Sequence, residues 1–119
     1  MRNYKNYEVY QMSMELVGEI YQVTKHFPDD EKYGLTAQLR RAAVSIPSNI
    51  AEGASRNREK DFARYIEIAL GSSFEVDTQI SLALQFNYIN TSNFNPLFEK
   101  LQSVQRQLNG LRIKLRKEI

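Results

Sequence analysis

The chain has 119 residues, a net charge of +2 and no cysteine. A chain of this length suits one domain with one modest core, and the lack of cysteine excludes disulfides and thiolate metal sites. The residues after Met1 are polar and no segment approaches the ~18 apolar residues of a membrane span, so we expect a soluble, cytoplasmic protein with no membrane partner.

The first predicted helix starts near Tyr7 or Glu8 and ends near Lys25. Apolar residues recur along it at helical spacing and indicate one buried face. They are Val9, Met12, Leu16, Ile20, Val23 and Phe27. Pro28 and the acidic residues after it end this helix. His26 lies at the helix end, where an imidazolium is favoured, so we interpret it as structural or exposed and not as catalytic.

The second predicted helix begins at Asp30 or Glu31 and frays between Gly53 and Asn57. Its apolar face keeps the same phase on both sides of a proline. The residues of this face are Leu35, Leu39, Ala42, Ile46, Asn49 and Gly53.

Pro47 conflicts with this continuity, because an interior proline removes one backbone hydrogen bond and costs about 3 kcal/mol. In one geometry the helix continues with a kink, and nearby serines or a partner helix take up the freed backbone groups. In the other it stops near Val44 and restarts, with Asn49 and Glu52 as a capping pair. We favour the kinked helix because the apolar face is continuous.

The third predicted helix begins after Asn57 and reaches Phe86 or Tyr88. Its buried face is formed by Phe62, Ile66, Ala69, Ser73, Val76, Ile80 and Ala83. Further apolar residues lie off this face and exceed what one seam requires; they are Ile68, Leu82 and Phe86. The run Gly71-Ser72-Ser73 has low helix propensity, which suggests that a neighbour packs closely there.

The fourth predicted helix follows a polar loop and starts at Asn95-Pro96 or, alternatively, at Ser92. It has a heptad pattern of Phe94, Leu97, Leu101, Val104, Leu108, Leu111 and Leu115. Four helices joined by short loops predict an all-α, antiparallel, up-and-down four-helix bundle, with residues 1–119 as a single domain.

The stretch from Gln38 to Gly53 carries a family resemblance. It is Gln-Leu-Arg-Arg-Ala-Ala-Val-Ser-Ile-Pro-Ser-Asn-Ile-Ala-Glu-Gly, and it closely resembles the signature of the bacterial 23S rRNA-intervening-sequence proteins, also called four-helix bundle proteins. Shorter matches extend the resemblance over nearly the whole chain; they include Phe27-Pro28, Tyr33-Gly34-Leu35, Gly71-Ser72, Thr78-Gln79 and Leu108-Asn109-Gly110-Leu111.

This resemblance implies a four-helix bundle that commonly assembles as a homopentamer, from genes that in some cases lie inside intervening sequences of large-subunit rRNA genes. The accessory proteins of diversity-generating retroelements are similar in fold, and they bind nucleic acid and a reverse transcriptase. Two positions depart from the family pattern. Asn87 replaces a glycine that commonly ends the third helix, and Tyr10 replaces a common tryptophan; we expect neither to alter the fold.

The sequence predicts no catalytic residue, no metal ligand and no cofactor. A di-metal carboxylate site in such a bundle needs two Glu-x-x-His pairs, and the chain has one histidine. No nucleophile with a base beside it is visible. A better interpretation of the central polar residues is a hydrogen-bonded layer between the second and third helices, with Arg40 or Arg41 as counter-charge. This layer consists of Asn49, Glu52, Glu75, Thr78 and Gln79.

Basic residues are concentrated between residues 40 and 64 and between 106 and 119. In an antiparallel bundle, segments that are distant in sequence can share an end. Because surface Lys and Arg displace counterions from phosphates, we predict binding of RNA or DNA. The predicted residues are Arg40, Arg41, Arg56, Arg58, Lys60, Arg64, Arg112, Lys114, Arg116 and Lys117.

The alternative is a structural or adaptor protein that oligomerises and binds a protein partner. The extra apolar surface of the third helix favours it, as do Tyr4, Tyr7 and Tyr10 near the N-terminus. Binding that weakens steeply with salt distinguishes the first hypothesis from the second.

Overall fold

Four long helices form the fold in a computed structural model, which describes residues 2–119. They are α1 (Glu8–Thr24), α2 (Leu35–Ala54), α3 (Glu59–Gln85) and α4 (Thr91–Lys117), with short 3-10 helices at Tyr4–Asn6 and Asp29–Glu31. No strand occurs in the described part of the chain. The predicted all-α four-helix bundle is confirmed. Among residues 2–119, no helix combines the length and apolarity needed to cross a bilayer.

Each helix packs against the next one in the chain, and α4 packs back against α1. The contacts pair the end of one helix with the start of its neighbour. Arg116, near the end of α4, pairs with Glu67 in the first turns of α3, and Gln105 reaches Asp77 farther along. As the residue number falls along α4, the number of the contacted residue on α3 rises, so these two helices run in opposite directions. The start of α1, the turn between α2 and α3 and the end of α4 lie together at one end of the bundle.

The core is built from the apolar faces that the sequence indicates. The whole predicted face of α3 is buried, from Phe62 to Ala83. In α1, two polar residues are buried, whereas Met12 and Val23 are only partly buried. The buried hydroxyls are satisfied inside the helix, because Ser13 donates to the Tyr10 carbonyl at 2.8 Å and Thr24 to the Ile20 carbonyl at 2.7 Å.

The helix α2 is continuous through Pro47, which is buried. The alternative in which the helix stops near Val44 and restarts therefore does not occur. Its start is later than predicted, at Leu35, because the acidic segment before it forms a 3-10 helix. Glu31 in that segment caps α2, since its carboxylate accepts a hydrogen bond from the Leu35 amide at 3.1 Å.

Two helix boundaries lie earlier in the chain than predicted: α3 ends at Gln85 and α4 starts at Thr91. Asn87 has φ of 63°, and Tyr88 donates from its amide to the Ala83 carbonyl at 2.8 Å. This is a Schellman-type end, in which Asn takes the left-handed position that glycine usually occupies. The helix α4 begins before Pro96 and before Ser92, because the Asn90 side chain accepts from the Asn93 amide at 2.9 Å and caps the first turn.

Candidate nucleic-acid interface

The two basic segments of the sequence meet at one end of the bundle, which we call the basic end. It comprises residues 2–8, 52–67 and 112–118. Arg2 holds it together: its guanidinium donates to the Arg56 carbonyl at 2.5 Å and to the Ala54 carbonyl at 3.3 Å, and it pairs with Glu59. It also lies 4.6 Å from the centre of the Phe62 ring. Sequence reasoning missed Arg2, because a lone arginine in a polar segment carries no local pattern.

Helices α3 and α4 present a shared basic face at this end. The Arg116 guanidinium makes two hydrogen bonds to the Glu67 carboxylate, at 2.5 and 3.2 Å. This bidentate pair raises the pKa of Arg116. Lys60 and Arg64 are one helical turn apart on α3 and both are exposed. Arg112, one turn before Arg116, bonds only to the neutral Asn109 amide oxygen.

Several charges of the basic end are not matched by a carboxylate. Within residues 2–119, five of the predicted residues that lie at this end have no ion-pair partner: Lys60, Arg64, Arg112, Lys114 and Lys117. Lys114 lines a separate groove against α1, together with Tyr7 and Gly110. The unmatched charge is therefore concentrated where α3 begins and α4 ends.

The two arginines of the α2–α3 turn are paired but stay near the solvent. Arg58 pairs with Asp61 at 3.0 Å, and the hydrogen bond from its guanidinium lowers the pKa of the Asp61 carboxylate. Arg56 pairs with Glu52 at 3.4 Å and donates to the Tyr65 hydroxyl at 2.8 Å. Both guanidinium groups remain at the surface of the basic end.

Arg40 and Arg41 do not lie at the basic end. Arg40 packs between α2 and α1, where its Nε donates to the Thr24 hydroxyl at 2.8 Å and its guanidinium lies 4.5 Å from the centre of the Tyr21 ring. It is engaged inside the molecule. Arg41 is exposed and lines a groove between α2 and α3, which also contains Glu75. Eight of the ten predicted residues are therefore brought together, and these two are not.

The polar layer between α2 and α3 is composed differently from the expected one. Its centre is a contact of 2.9 Å between the hydroxyls of Ser45 and Ser72. Asn49 joins it by donating to the Ser45 hydroxyl at 2.9 Å. The low-propensity run around Ser72 was the sequence signal for a close neighbour there. Glu52, Glu75 and Thr78 are exposed outside this network, and Gln79 lines the groove beside it.

Among residues 2–119, no group of three or more His, Asp or Glu side chains is placed to hold a metal ion. His26 is exposed just beyond the end of α1.

The N-terminal tyrosines make aromatic contacts within the chain. Tyr7 stacks on Phe62 with 6.5 Å between ring centres, and Tyr4 meets Tyr10 edge-on at 5.1 Å. Tyr10 also lines an apolar groove of about 360 Å³ between α1 and α2, together with Met14, Val17, Val44 and Pro47. On α3, Phe74 is 55% exposed.

Comparisons with known proteins identify the family. The structure is similar to the crystal structure of a protein of unknown function from the S23 ribosomal protein family of Bacteroides thetaiotaomicron VPI-5482. The TM-score is 0.81 at 22% identity, covering 87% of this chain and 97% of that one, so this likeness shows the fold alone. No curated protein matches the chain. The model of the family described as "23S rRNA-intervening sequence protein" matches residues 5–110, and the chain therefore belongs to that family.

Proposed function

We propose that this protein is a non-enzymatic, homo-oligomeric helical bundle that binds RNA or DNA through phosphate contacts at its basic end. One observation carries the proposal: two basic segments that are far apart in sequence converge there, with unmatched charge on Lys60, Arg64, Arg112 and Lys117. Such contacts give affinity by counterion release and little sequence selectivity.

The ion pairs at the basic end do not oppose this function. A surface ion pair contributes only about 0–1 kcal/mol, so a phosphate can replace a carboxylate partner at small cost. Arg58 and Arg116 already make bidentate contacts to carboxylates, and a guanidinium binds a phosphate with the same fork geometry. These two arginines are therefore preorganised donors.

The test is salt-dependent binding of labelled rRNA fragments and generic DNA by a double variant and a matched control. Lys60→Gln with Arg64→Gln removes two charges at the basic end. Lys25→Gln with Lys32→Gln removes two exposed charges outside it. We expect the first variant to bind more weakly. The slope of log affinity against log salt, which is negative, should become shallower by about two. Equal loss in both variants, or no loss in either, would exclude the basic end as the binding surface.

Self-assembly would strengthen weak phosphate contacts through avidity. The support for it is the apolar groove between α1 and α2, where Met14 is 50% exposed, together with the homopentamer that the family resemblance implies. Light scattering should give about five times the chain mass of 13.9 kDa. Met14→Lys should lower that mass, whereas Lys25→Gln should not. A monomeric wild-type protein at working concentration would refute the assembly.

The second candidate is an adaptor whose apolar groove binds a different protein. The same groove between α1 and α2 favours it, since its lining is mainly apolar. An oligomer that binds no nucleic acid at low salt, yet binds a protein partner in a salt-insensitive way that Met14→Lys abolishes while leaving the oligomer mass unchanged, would support this function over the first.

A further inference from the structure

The groove between α2 and α3 contains polar groups that the fold leaves unused. It has a volume of about 420 Å³, within the range of about 300 to 1,000 Å³ typical of small-ligand sites. Its floor is the Ser45–Ser72 contact, where each hydroxyl already has a partner. Its rim carries Arg41 and Glu75.

Arg41 and Glu75 lie on the same side of this floor. Arg41 precedes Ser45 by four residues and Glu75 follows Ser72 by three, and the two helices run in opposite directions. Yet they do not pair with each other within 4.0 Å, and neither has another ion-pair partner among residues 2–119. A guanidinium and a carboxylate therefore face one groove with their hydrogen-bonding capacity free.

Gln79 adds an unsatisfied acceptor to this groove. Its amide oxygen is enclosed and receives no hydrogen bond within residues 2–119, although enclosed polar atoms normally have a partner. The terminal amide torsion of glutamine is soft, so a ligand that offers a donor can recruit this oxygen. Once the Gln79 amide has turned outward, the groove presents paired donors on Arg41 and acceptors on Glu75 and Gln79.

From this arrangement we propose that the groove binds an unstacked guanine base of single-stranded RNA or DNA. The proposal rests on the nucleic-acid function proposed above. Guanine has two adjacent acceptors, O6 and N7, which suit the two-pronged guanidinium of Arg41. It also has two adjacent donors, N1–H and the N2 amino group, which suit the carboxylate of Glu75. The other three bases lack this combination of edges, and single strands are recognised by such edge contacts.

The groove is within reach of a strand held at the basic end. Glu75 follows Lys60 by fifteen residues on α3, which corresponds to about 22 Å along the helix. Phosphate contacts at Lys60 would supply affinity, and the base contact would supply selectivity. The two contributions differ in salt dependence, because counterion release accompanies only the phosphate contacts.

The experiment compares short oligouridine RNAs that carry a single central guanine, inosine, adenine or cytosine. We expect the guanine RNA to bind about tenfold more tightly than the adenine and cytosine RNAs, with a ratio that changes little with salt. Inosine, which lacks the N2 amino group, should lose much of this preference. Glu75→Gln should abolish the preference, whereas Glu99→Gln, which alters an exposed carboxylate on α4, should preserve it.

The contrary outcomes distinguish failure of the guanine site in the groove from failure of the phosphate function at the basic end. Binding of all four RNAs with equal affinity would overturn the guanine site and leave the phosphate function intact. If no RNA binds, the phosphate function fails, and free guanosine monophosphate still tests the groove: shifted side-chain amide resonances of Gln79 would support it, and unchanged resonances would overturn it. A change in oligomer mass caused by Glu75→Gln would assign the groove to a second copy of the chain and also overturn the base site.

Discussion

Gly53 of α2 lies against Tyr65 of α3 so closely that a Cβ on the glycine would come 2.7 Å from the Cβ of the tyrosine. The same Cβ would also lie 2.9 Å from a ring carbon of Phe62. Both contacts are shorter than packed carbons tolerate. We therefore expect Gly53→Ala to destabilise the fold by about 1–3 kcal/mol through overpacking, measured by urea unfolding.

The matched control for this prediction is Gly71→Ala. Gly71 is a helical glycine in α3 whose added Cβ would meet nothing within 4 Å. Here we expect stabilisation by about 0.5–1 kcal/mol, because alanine loses less conformational entropy in a helix than glycine. If both alanines had the same effect, close packing of α2 on α3 at Gly53 would not be the cause.

Arg40 should be important for stability and not for nucleic-acid binding. Arg40→Gln removes the hydrogen bond to the Thr24 hydroxyl and the contact with the Tyr21 ring. We expect a loss of about 1–2 kcal/mol in unfolding free energy, with an unchanged salt slope of RNA binding. Arg41→Gln, at an exposed position beside it, should change stability by less than about 0.5 kcal/mol. A reduced salt slope in Arg40→Gln would contradict this assignment.

Asn87 should tolerate glycine but not alanine. Its φ of 63° lies in the left-handed region, where a Cβ is crowded and an asparagine is better accepted than most residues. Thermal or chemical unfolding should show that Asn87→Ala costs about 1 kcal/mol, whereas Asn87→Gly is neutral or stabilising. Gln85→Ala, in the last turn of α3, serves as a control with little expected effect. Equal stability of the alanine and glycine variants would argue against the left-handed end.

The Arg2–Glu59 pair should make stability depend on pH in the acid range. The hydrogen bond from Arg2 is the main cause that holds the pKa of Glu59 below its ordinary value. A carboxylate with a lowered folded-state pKa stabilises the fold above its unfolded pKa, about 4.3, and loses that contribution as the pH falls through the folded value. The effect of this partly exposed pair should not exceed about 1 kcal/mol.

Urea unfolding between pH 6 and pH 2.5 tests this pair. Glu59→Gln should flatten the curve below about pH 4.3 relative to the wild type. Glu99→Gln, which changes a carboxylate with no ion pair in the described chain, should leave the curve nearly unchanged. If Glu59→Gln follows the wild-type curve at all pH values, Arg2 does not stabilise the charged form of Glu59.

The helices were predictable because their apolar residues follow the helical period. The face from Phe62 to Ala83 is buried as the spacing indicates. The unbroken apolar face of α2 likewise predicted that this helix continues through Pro47. The helix ends were harder to predict, because they depend on side chains several residues outside the pattern. Glu31 and Asn90 each cap a helix by hydrogen bonds that periodicity does not reveal.

The candidate site was predictable in its charge but not in its geometry. Clustering of basic residues along the sequence pointed to the residues of the α2–α3 turn and of α4. The pattern could not distinguish Arg40 from Arg41, since adjacent helical residues face in different directions and only the packing against α1 decides which one is engaged. Arg2 was not predicted, because its role depends on carbonyl groups more than fifty residues away.

Because the bundle is long, its net charge does not describe the electrostatic field at either end. The molecule extends 45 Å along its longest axis, whereas electrostatic fields in physiological salt decay over about 8 Å. The acidic turn at Asp29–Glu31 therefore cannot offset the charge around Lys60 at the other end. A polyanion that approaches the basic end meets a locally cationic surface, and the isoelectric point of the whole chain does not describe that encounter.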